Sequence, residues 1–147
     1  MSEYAGTFDK EFLTRTQSIV DNYKGEYEAT LLLNCTLALI CLPIEKLIQN
    51  NYEIIDQVYS KLEEIEVSIT LKKDLSKEKE NNYKKIKALR NGIAHLKIDS
   101  INDNNKLKAF IITGTTEHFK KEYEFCFTIE KLKKFCDEIL TVFLNYV

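Results

Sequence analysis

Apolar residues recur at intervals of three and four along much of this chain, the spacing that places them on one face of an α-helix. Four segments show this amphipathic pattern: 12–23, 54–65, 86–96 and 129–143. Thr7 or Asp9 can cap the first segment, and Gly25 is a natural stop after it. The pattern therefore predicts four amphipathic helices, and it places Leu96 on the buried side of the third.

A fifth segment, from Tyr27 to Leu42, is apolar on almost every side. A helix of this kind lies at the centre of a soluble domain or against a second subunit. Asn34 and Thr36 interrupt its apolar run, which is also shorter than the ~20 residues that a membrane-spanning helix needs. We therefore expect a helix in the core or at an interface, with a kink or a restart at Pro43, and no association with a membrane.

Two strands are predicted before the last helix. The aromatic residues of segment 122–127 fall at every second position, which indicates a half-buried strand. The apolar run from Leu107 to Thr113 indicates a buried strand, and Gly114 lies in the turn between the two. The polar segment 72–82 is interpreted as a solvated turn or an exposed helical lead-in, and 102–105 as a loop.

Length and composition agree with a single domain over residues 1–147. Hydrophobic residues make up 44% of the chain and charged residues 30%, with one Pro and four Gly, which disfavours disorder and low-complexity linkers. Together with the elements above, the sequence predicts a mainly α fold: a helical bundle with a small β-hairpin inserted before the last helix. The first ten residues lack the features of a secretory signal, so a cytoplasmic location is expected.

Known motifs for nucleotide binding, zinc proteases and serine hydrolases are missing from the sequence. The four cysteines lie in apolar segments without CxxC spacing and are interpreted as structural thiols. We therefore expect no cofactor and no metal site. The glutamates of segment 63–66 are interpreted as a solvated helix face, and His118 as an exposed loop residue.

Charge is unevenly distributed along the chain, although its formal net charge is only −2. Segment 84–97 contains four lysines, one arginine and no acid, whereas segment 44–66 contains six acids against two lysines. Opposite patches of this kind can steer a phosphate backbone to one place. We expect Lys84, Lys87 and Lys97 to contact such a backbone.

Within the basic segment, Asn91 and His95 fall on the side of the helix that faces away from its apolar residues. The two are four residues apart, so the amide can orient the imidazole through a hydrogen bond. Arg90 lies on the flank, where its planar guanidinium suits phosphate oxygens, and Gly92 allows another backbone to approach closely. These residues are the candidates for acid–base and charge-stabilising chemistry.

The run from Arg90 to His95, with the sequence RNGIAH, resembles the motif of the HEPN superfamily: an arginine, then four residues, then a histidine, with a polar residue after the arginine. Members of that superfamily are small helical bundles, and many are metal-independent RNA endonucleases. The motif lies here in a late helix of a short chain with an apolar second helix. The predicted hairpin before the last helix is similar to that of a bacterial branch that mobile elements often encode.

The resemblance implies a homodimer in which both motifs line one cleft. It also implies that RNA is cut by its own 2′-hydroxyl group, leaving a 2′,3′-cyclic phosphate and a 5′-hydroxyl. His95 would transfer protons, Arg90 would stabilise charge on the phosphorane and Asn91 would assist, without metal or cofactor. Because Arg90 and His95 lie about 140° apart on an ideal helix, a site shared between two copies is favoured.

The function predicted on this basis is that of a toxin or defence effector, with an antitoxin or a regulatory protein as a candidate partner. Two alternatives stay open: a non-catalytic HEPN-like module that binds RNA or a protein through the basic helix, and a purely structural bundle. Asn34, in the polar seam of the apolar helix, is hypothesised to face the cleft behind the catalytic groups. The alternative for Asn34 is an amide hydrogen-bonded within the core.

Overall fold

The computed structural model describes residues 8–25, 28–42, 52–116 and 120–146, which form five helices and four strands. The helices are α1 (Phe8–Asn22), α2 (Glu28–Leu42), α3 (Tyr52–Glu64), α4 (Asn82–Ala94) and α5 (Ile129–Tyr146). The strands are β1 (Ser68–Asp74), β2 (Ile98–Asp103), β3 (Lys106–Thr115) and β4 (Lys121–Thr128). The five predicted helices and the two predicted strands are therefore present. The expected cap at Thr7, the kink at Pro43 and the loop residue His118 lie outside the described residues.

The four strands form one antiparallel sheet in the order β1-β4-β3-β2. Strand β4 buries every second residue, Tyr123 and Phe125 among them, and β3 buries Ile112 beside Phe125. Helices α4 and α5 pack against these two central strands. The prediction of a mainly α bundle with one small hairpin is therefore wrong: the fold combines a helical layer with a four-stranded sheet.

The two strands that the sequence pattern did not predict lie at the edges of the sheet. Strands β1 and β2 are exposed along almost their whole length. In β1, Ile69 and Leu71 alternate with Ser68 and Thr70, a short strand signal that the sequence prediction overlooks, whereas β2 has no such alternation. Each is anchored by one half-buried isoleucine, Ile69 opposite Phe125 in β4 and Ile98 opposite Ile112 in β3. Backbone hydrogen bonds to the central strands, more than side-chain burial, hold these edges in place.

A two-residue turn connects β2 to β3. Asn104 and Asn105 have φ angles of 51° and 63°, and the residues on either side of them, Asp103 and Lys106, are paired across the hairpin. Two successive positive φ angles define a type I′ turn, and asparagine tolerates that conformation better than most residues. The Asn-Asn pair is thus the sequence signal for strand β2, which the interpretation of 102–105 as a simple loop overlooks.

The apolar helix α2 contributes to the core. Leu32, Cys35 and Leu39 are buried, and Leu31 and Leu33 are half-buried. The helix packs against α1, α4 and α5. Of the two places expected for this helix, the core or an interface, these residues show that it contributes to the core.

Helix α4 lies directly across strand β3, because two glycines remove the side chains at the crossing. A Cβ atom on Gly92 would lie 2.6 Å from the carbonyl oxygen of Thr113, and one on Gly114 would overlap the carbonyl group of Ala88. The close backbone approach that Gly92 predicts is present. The crossing fixes α4 on the sheet and leaves its opposite side free to line a groove.

Candidate functional site

The RNGIAH run lies at the C-terminal end of α4, which closes in a Schellman motif. The amide of Lys97 donates to the carbonyl of Gly92 over 2.8 Å, and the amide of Leu96 donates to that of Ile93 over 3.1 Å. Leu96 adopts the left-handed conformation that this motif requires, with φ 55°, and its side chain is 72% exposed. The prediction that Leu96 faces the core is therefore wrong, because the chain has already left the helix.

Arg90 and Asn91 are joined to each other and to the sheet. Nη1 of Arg90 donates to Oδ1 of Asn91 over 2.6 Å, and Nδ2 of Asn91 donates to the carbonyl oxygen of Thr115 over 3.1 Å. Both side chains are half-buried. Asn91 therefore connects Arg90 to the backbone of β3 and restricts where the guanidinium can lie. The predicted hydrogen bond from Asn91 to the imidazole of His95 is not among those of the described residues.

Arg90 and Asn91 lie in the wall of a groove of about 680 Å³. The start of α3, the link between β1 and α4, helix α4 and the start of β4 all contribute to its lining. Among the described residues the lining holds one carboxylate, Glu78, and five cationic side chains: Lys84, Lys87, Arg90, Lys120 and Lys121. This excess of positive charge attracts anions, phosphates above all.

Two of these lysines are already paired with acids. Nζ of Lys84 donates to Oε2 of Glu78 over 2.7 Å, and this bond holds the pKa of the Glu78 carboxyl below its usual range. Lys121 is only 3% exposed and donates to Oδ1 of Asp74 over 2.9 Å and to the carbonyl of Ser76 over 3.3 Å. The Lys121 bond likewise lowers the pKa of Asp74. Lys121 therefore ties the β1–α4 link to β4 and serves mainly the structure of the groove.

His95 lies one turn beyond Asn91 on α4 and is exposed. Its amide donates to the carbonyl oxygen of Asn91 over 3.0 Å, so the helical path continues to this residue although the helix formally ends at Ala94. On that path, His95 lies on the same side of the helix as Lys84 and Asn91: the three positions fall within about 40° of one another around the helix axis. His95 does not line the groove of the single chain.

The remaining predicted site residues divide between the groove and the rest of the surface. Lys84 and Lys87 line the groove. Lys97 is exposed after the helix end, where its carbonyl accepts from the amide of Thr113 over 2.9 Å. Asn34 is exposed on α2, outside the groove, and its interpretation as a core amide does not hold. The groove thus brings together four of the seven predicted site residues and leaves out Asn34, His95 and Lys97.

The sequence pattern did not identify several lining residues of the groove that lie outside α4. Tyr52, Thr116 and the pair Lys120-Lys121 come from segments that were interpreted only as elements of fold. The one signal for them is the lysine pair that precedes the aromatic alternation of β4.

A buried tyrosine lies behind the link that borders the groove. The hydroxyl of Tyr123 donates to Oε1 of Glu80 over 3.0 Å. Burial, with this bond to a carboxylate, raises the pKa of the Tyr123 hydroxyl far above its usual range. Lys85 reaches the same region and donates to the hydroxyl of Tyr59 over 3.2 Å. These side chains support the groove and take no part in its lining.

Two other classes of site have no basis in the parts of the chain that the structure describes. No three His, Cys, Asp or Glu side chains come together there in a group that could hold a metal ion. In the same ranges, none of the helices combines the length and the apolar character needed to cross a membrane.

The chain matches a model of a known protein family over its full length. The family model described as HEPN pEK499 p136 matches residues 1–147. No curated protein and no solved structure matches the chain significantly.

Proposed function

Because the chain belongs to the HEPN pEK499 p136 family, we propose that it is a metal-independent RNA endonuclease that acts as a homodimer. HEPN domains are frequently endoribonucleases, and they often bind RNA and dimerise. The proposed role is that of a toxin or defence effector, and the proposed partner is a protein that inhibits its active site.

The proposed reaction is a transesterification within the RNA strand. The 2′-hydroxyl oxygen of one nucleotide attacks the adjacent phosphorus atom, and the bond from phosphorus to the 5′-oxygen of the next nucleotide breaks. One proton leaves the 2′-hydroxyl and one is delivered to the departing 5′-oxygen. The products are a 2′,3′-cyclic phosphate and a 5′-hydroxyl, and the nucleophile belongs to the RNA itself.

Each site residue has a role in this reaction. His95 transfers protons, since imidazole is the side chain that ordinarily changes charge between pH 5 and 8. Arg90 stabilises the charge that develops on the phosphorane oxygens. Asn91 positions Arg90 through the bond that joins them. Lys84 and Lys87 bind neighbouring phosphates in the groove.

The observation that carries the proposal is the groove itself, in which Asn91 holds Arg90 among four lysines against one carboxylate. His95 is exposed outside the groove of its own chain, which supports a site completed by a second copy. In the proposed homodimer, a two-fold axis near the end of α4 would bring both copies of His95 and Arg90 to one cleft.

A second candidate function is a non-catalytic module that binds RNA through the same groove. One observation favours it: the groove of the single chain contains the cations needed to bind phosphates without the imidazole needed to cut them. This candidate keeps the contacts of Lys84, Lys87 and Arg90 and assigns no proton transfer to His95.

RNA cleavage in excess EDTA tests the proposed activity. The purified full chain is expected to cut RNA under these conditions and to leave cyclic phosphate ends. His95→Ala should lower the rate by about 10²- to 10⁴-fold, the usual cost of losing a general acid or base. His118→Ala, which removes the other histidine of the chain, is the matched control and should cut normally.

Three outcomes would contradict the proposal, two of them in part and the third as a whole. Cleavage that stops in EDTA contradicts metal independence, and cleavage that survives in His95→Ala contradicts the role of the imidazole. Tight RNA binding without any cleavage, with affinity falling steeply as salt rises, supports the non-catalytic module.

A further inference from the structure

Two tyrosines lie side by side in the wall of the groove. Tyr52 is the first residue of α3, and Tyr83 lies in the first turn of α4. Their ring centroids are 4.9 Å apart, with the ring planes inclined at 51°. Tyr52 is 59% exposed, whereas Tyr83 is half-buried. The pair thus presents an open aromatic surface inside a strongly basic groove.

Cationic side chains flank this aromatic surface on α4. Nζ of Lys87 lies 5.4 Å from the centroid of the Tyr83 ring, close enough for a cation–π interaction that holds the ring in place. Lys84 follows Tyr83 directly in the chain, and Arg90 lies about 10 Å further along the helix axis. The surface therefore combines aromatic faces with a line of phosphate-binding groups.

This combination is typical of proteins that bind single-stranded nucleic acid. A basic groove follows the backbone, and bases stack on aromatic rings beside it, with little dependence on sequence because every base has a π-face. A base within a duplex is already stacked and paired, so its faces are not accessible to a protein side chain. An exposed tyrosine in the groove consequently favours unpaired RNA.

We propose that Tyr52 and Tyr83 form a stacking subsite for one unpaired nucleobase of an RNA strand whose phosphates lie along Lys84, Lys87 and Arg90. The base stacks on the exposed ring of Tyr52, and the contact with Tyr83 restricts where that ring can lie. The subsite makes the groove select single-stranded RNA over duplex RNA. This inference rests on the proposed function, because it assumes that the groove binds RNA.

Binding to the full chain carrying His95→Ala, which is expected to slow cleavage, tests the subsite. Fluorescence anisotropy compares a short single-stranded RNA with the same sequence in a duplex. Tyr52→Leu should weaken single-strand binding by roughly 5- to 100-fold, the usual effect of removing one stacking partner, and should leave duplex binding unchanged. Tyr52→Phe keeps the ring and should bind normally. Tyr146→Leu, at an exposed tyrosine outside the groove, is the matched control.

The dependence of affinity on salt separates stacking from charge. Tyr52→Leu removes no phosphate contact, so the slope of log affinity against log salt should stay as in the parent protein. Lys87→Gln should reduce that slope by about one. A strand that contains 2-aminopurine should lose fluorescence on binding to the parent protein and to Tyr52→Phe, but not on binding to Tyr52→Leu.

The outcomes distinguish this inference from the function on which it rests. Absence of RNA binding by the parent protein overturns the proposed function. Normal RNA binding with a steep salt slope, unaffected by Tyr52→Leu, overturns the subsite alone. Equal affinity for single strand and duplex also overturns the subsite. Displacement of the strand by free adenosine monophosphate at equal concentration would indicate a mononucleotide site and would contradict a subsite for a strand.

Discussion

At the scale of single residues, the geometry of the site depends on Asn91. Its side-chain oxygen accepts a hydrogen bond from Arg90, and its side-chain nitrogen donates one to the backbone of β3. The two bonds together restrict the position of the Arg90 guanidinium. A flexible arginine side chain loses conformational entropy when it binds a phosphate. A side chain that is already held in place has lost that entropy on folding, so its binding is less costly. Asn91 is thus a positioning residue that acts through Arg90.

Asn91→Ala should therefore lower kcat for RNA cleavage about 10- to 100-fold, since small displacements of a catalytic group are costly. Asn91→Asp keeps the acceptor for Arg90 and should retain clearly more activity than the alanine variant. Loss of the two hydrogen bonds should reduce the free energy of unfolding by roughly 1–2 kcal/mol in Asn91→Ala. Steady-state kinetics and urea denaturation measure the two effects, and full kcat in Asn91→Ala would refute the positioning role.

At the scale of elements, the ends of α3 and α4 direct the chain into the two edge strands. Both helices close in the same Schellman motif, with a non-glycine residue in the left-handed conformation: Glu66 at φ 62° and Leu96 at φ 55°. Strands β1 and β2 begin two residues after these positions. A left-handed residue other than glycine costs roughly 1–2 kcal/mol, so both turns are maintained by the sheet and helices around them.

Replacing Leu96 by glycine should consequently stabilise the fold. Leu96→Gly relieves roughly 1–2 kcal/mol of backbone strain and adds roughly 0.5–1 kcal/mol of chain entropy to the unfolded state. The expected result is a net gain of about 0.5–1 kcal/mol in the free energy of unfolding, measured by urea denaturation. Glu66→Gly is the matched variant at the end of α3 and should give a similar gain. Lower stability of Leu96→Gly would show that the exposed leucine makes contacts that outweigh the strain.

At the scale of the whole molecule, the proposed function assigns the site to two copies of the chain. Arg90 lies in the groove and His95 outside it, on a helix that the crossing of Gly92 and Gly114 holds against the sheet. Because Arg90 and His95 lie about 140° apart on an ideal helix, the proposed site takes its arginine and its histidine from two symmetry-related copies of this helix.

Mixing two inactive variants tests this arrangement. A dimer of one Arg90→Ala chain and one His95→Ala chain keeps one intact site if each site takes its arginine and its histidine from different copies. An equal mixture after subunit exchange should then recover about a quarter of the wild-type activity, because half of the dimers are mixed and each has one of two sites. Recovery is measured as the initial rate of RNA cleavage. No recovery, despite subunit exchange shown by light scattering of tagged chains, would place both groups in the same copy.

The sequence by itself determined the five helices, the central strands β3 and β4 and the placement of the arginine, asparagine and histidine on one helix. These features are local, because apolar periodicity and motif spacing depend on residues within a few turns of each other. The close approach of strand β3 to Gly92 is also a feature that the sequence predicts, because it depends on a single residue without a side chain.

Only the tertiary structure decided how the edge strands pair, the exposure of Leu96 and the groove. Strand β2 carries no apolar alternation of its own, and that of β1 is limited to Ile69 and Leu71, so hydrogen bonds to the neighbouring strands hold both edges. The groove is assembled from Tyr52, Lys87 and Lys121, residues far apart in the sequence that come together when α3, α4 and β4 pack. Such contacts depend on how the layers meet, and no short stretch of sequence contains that information.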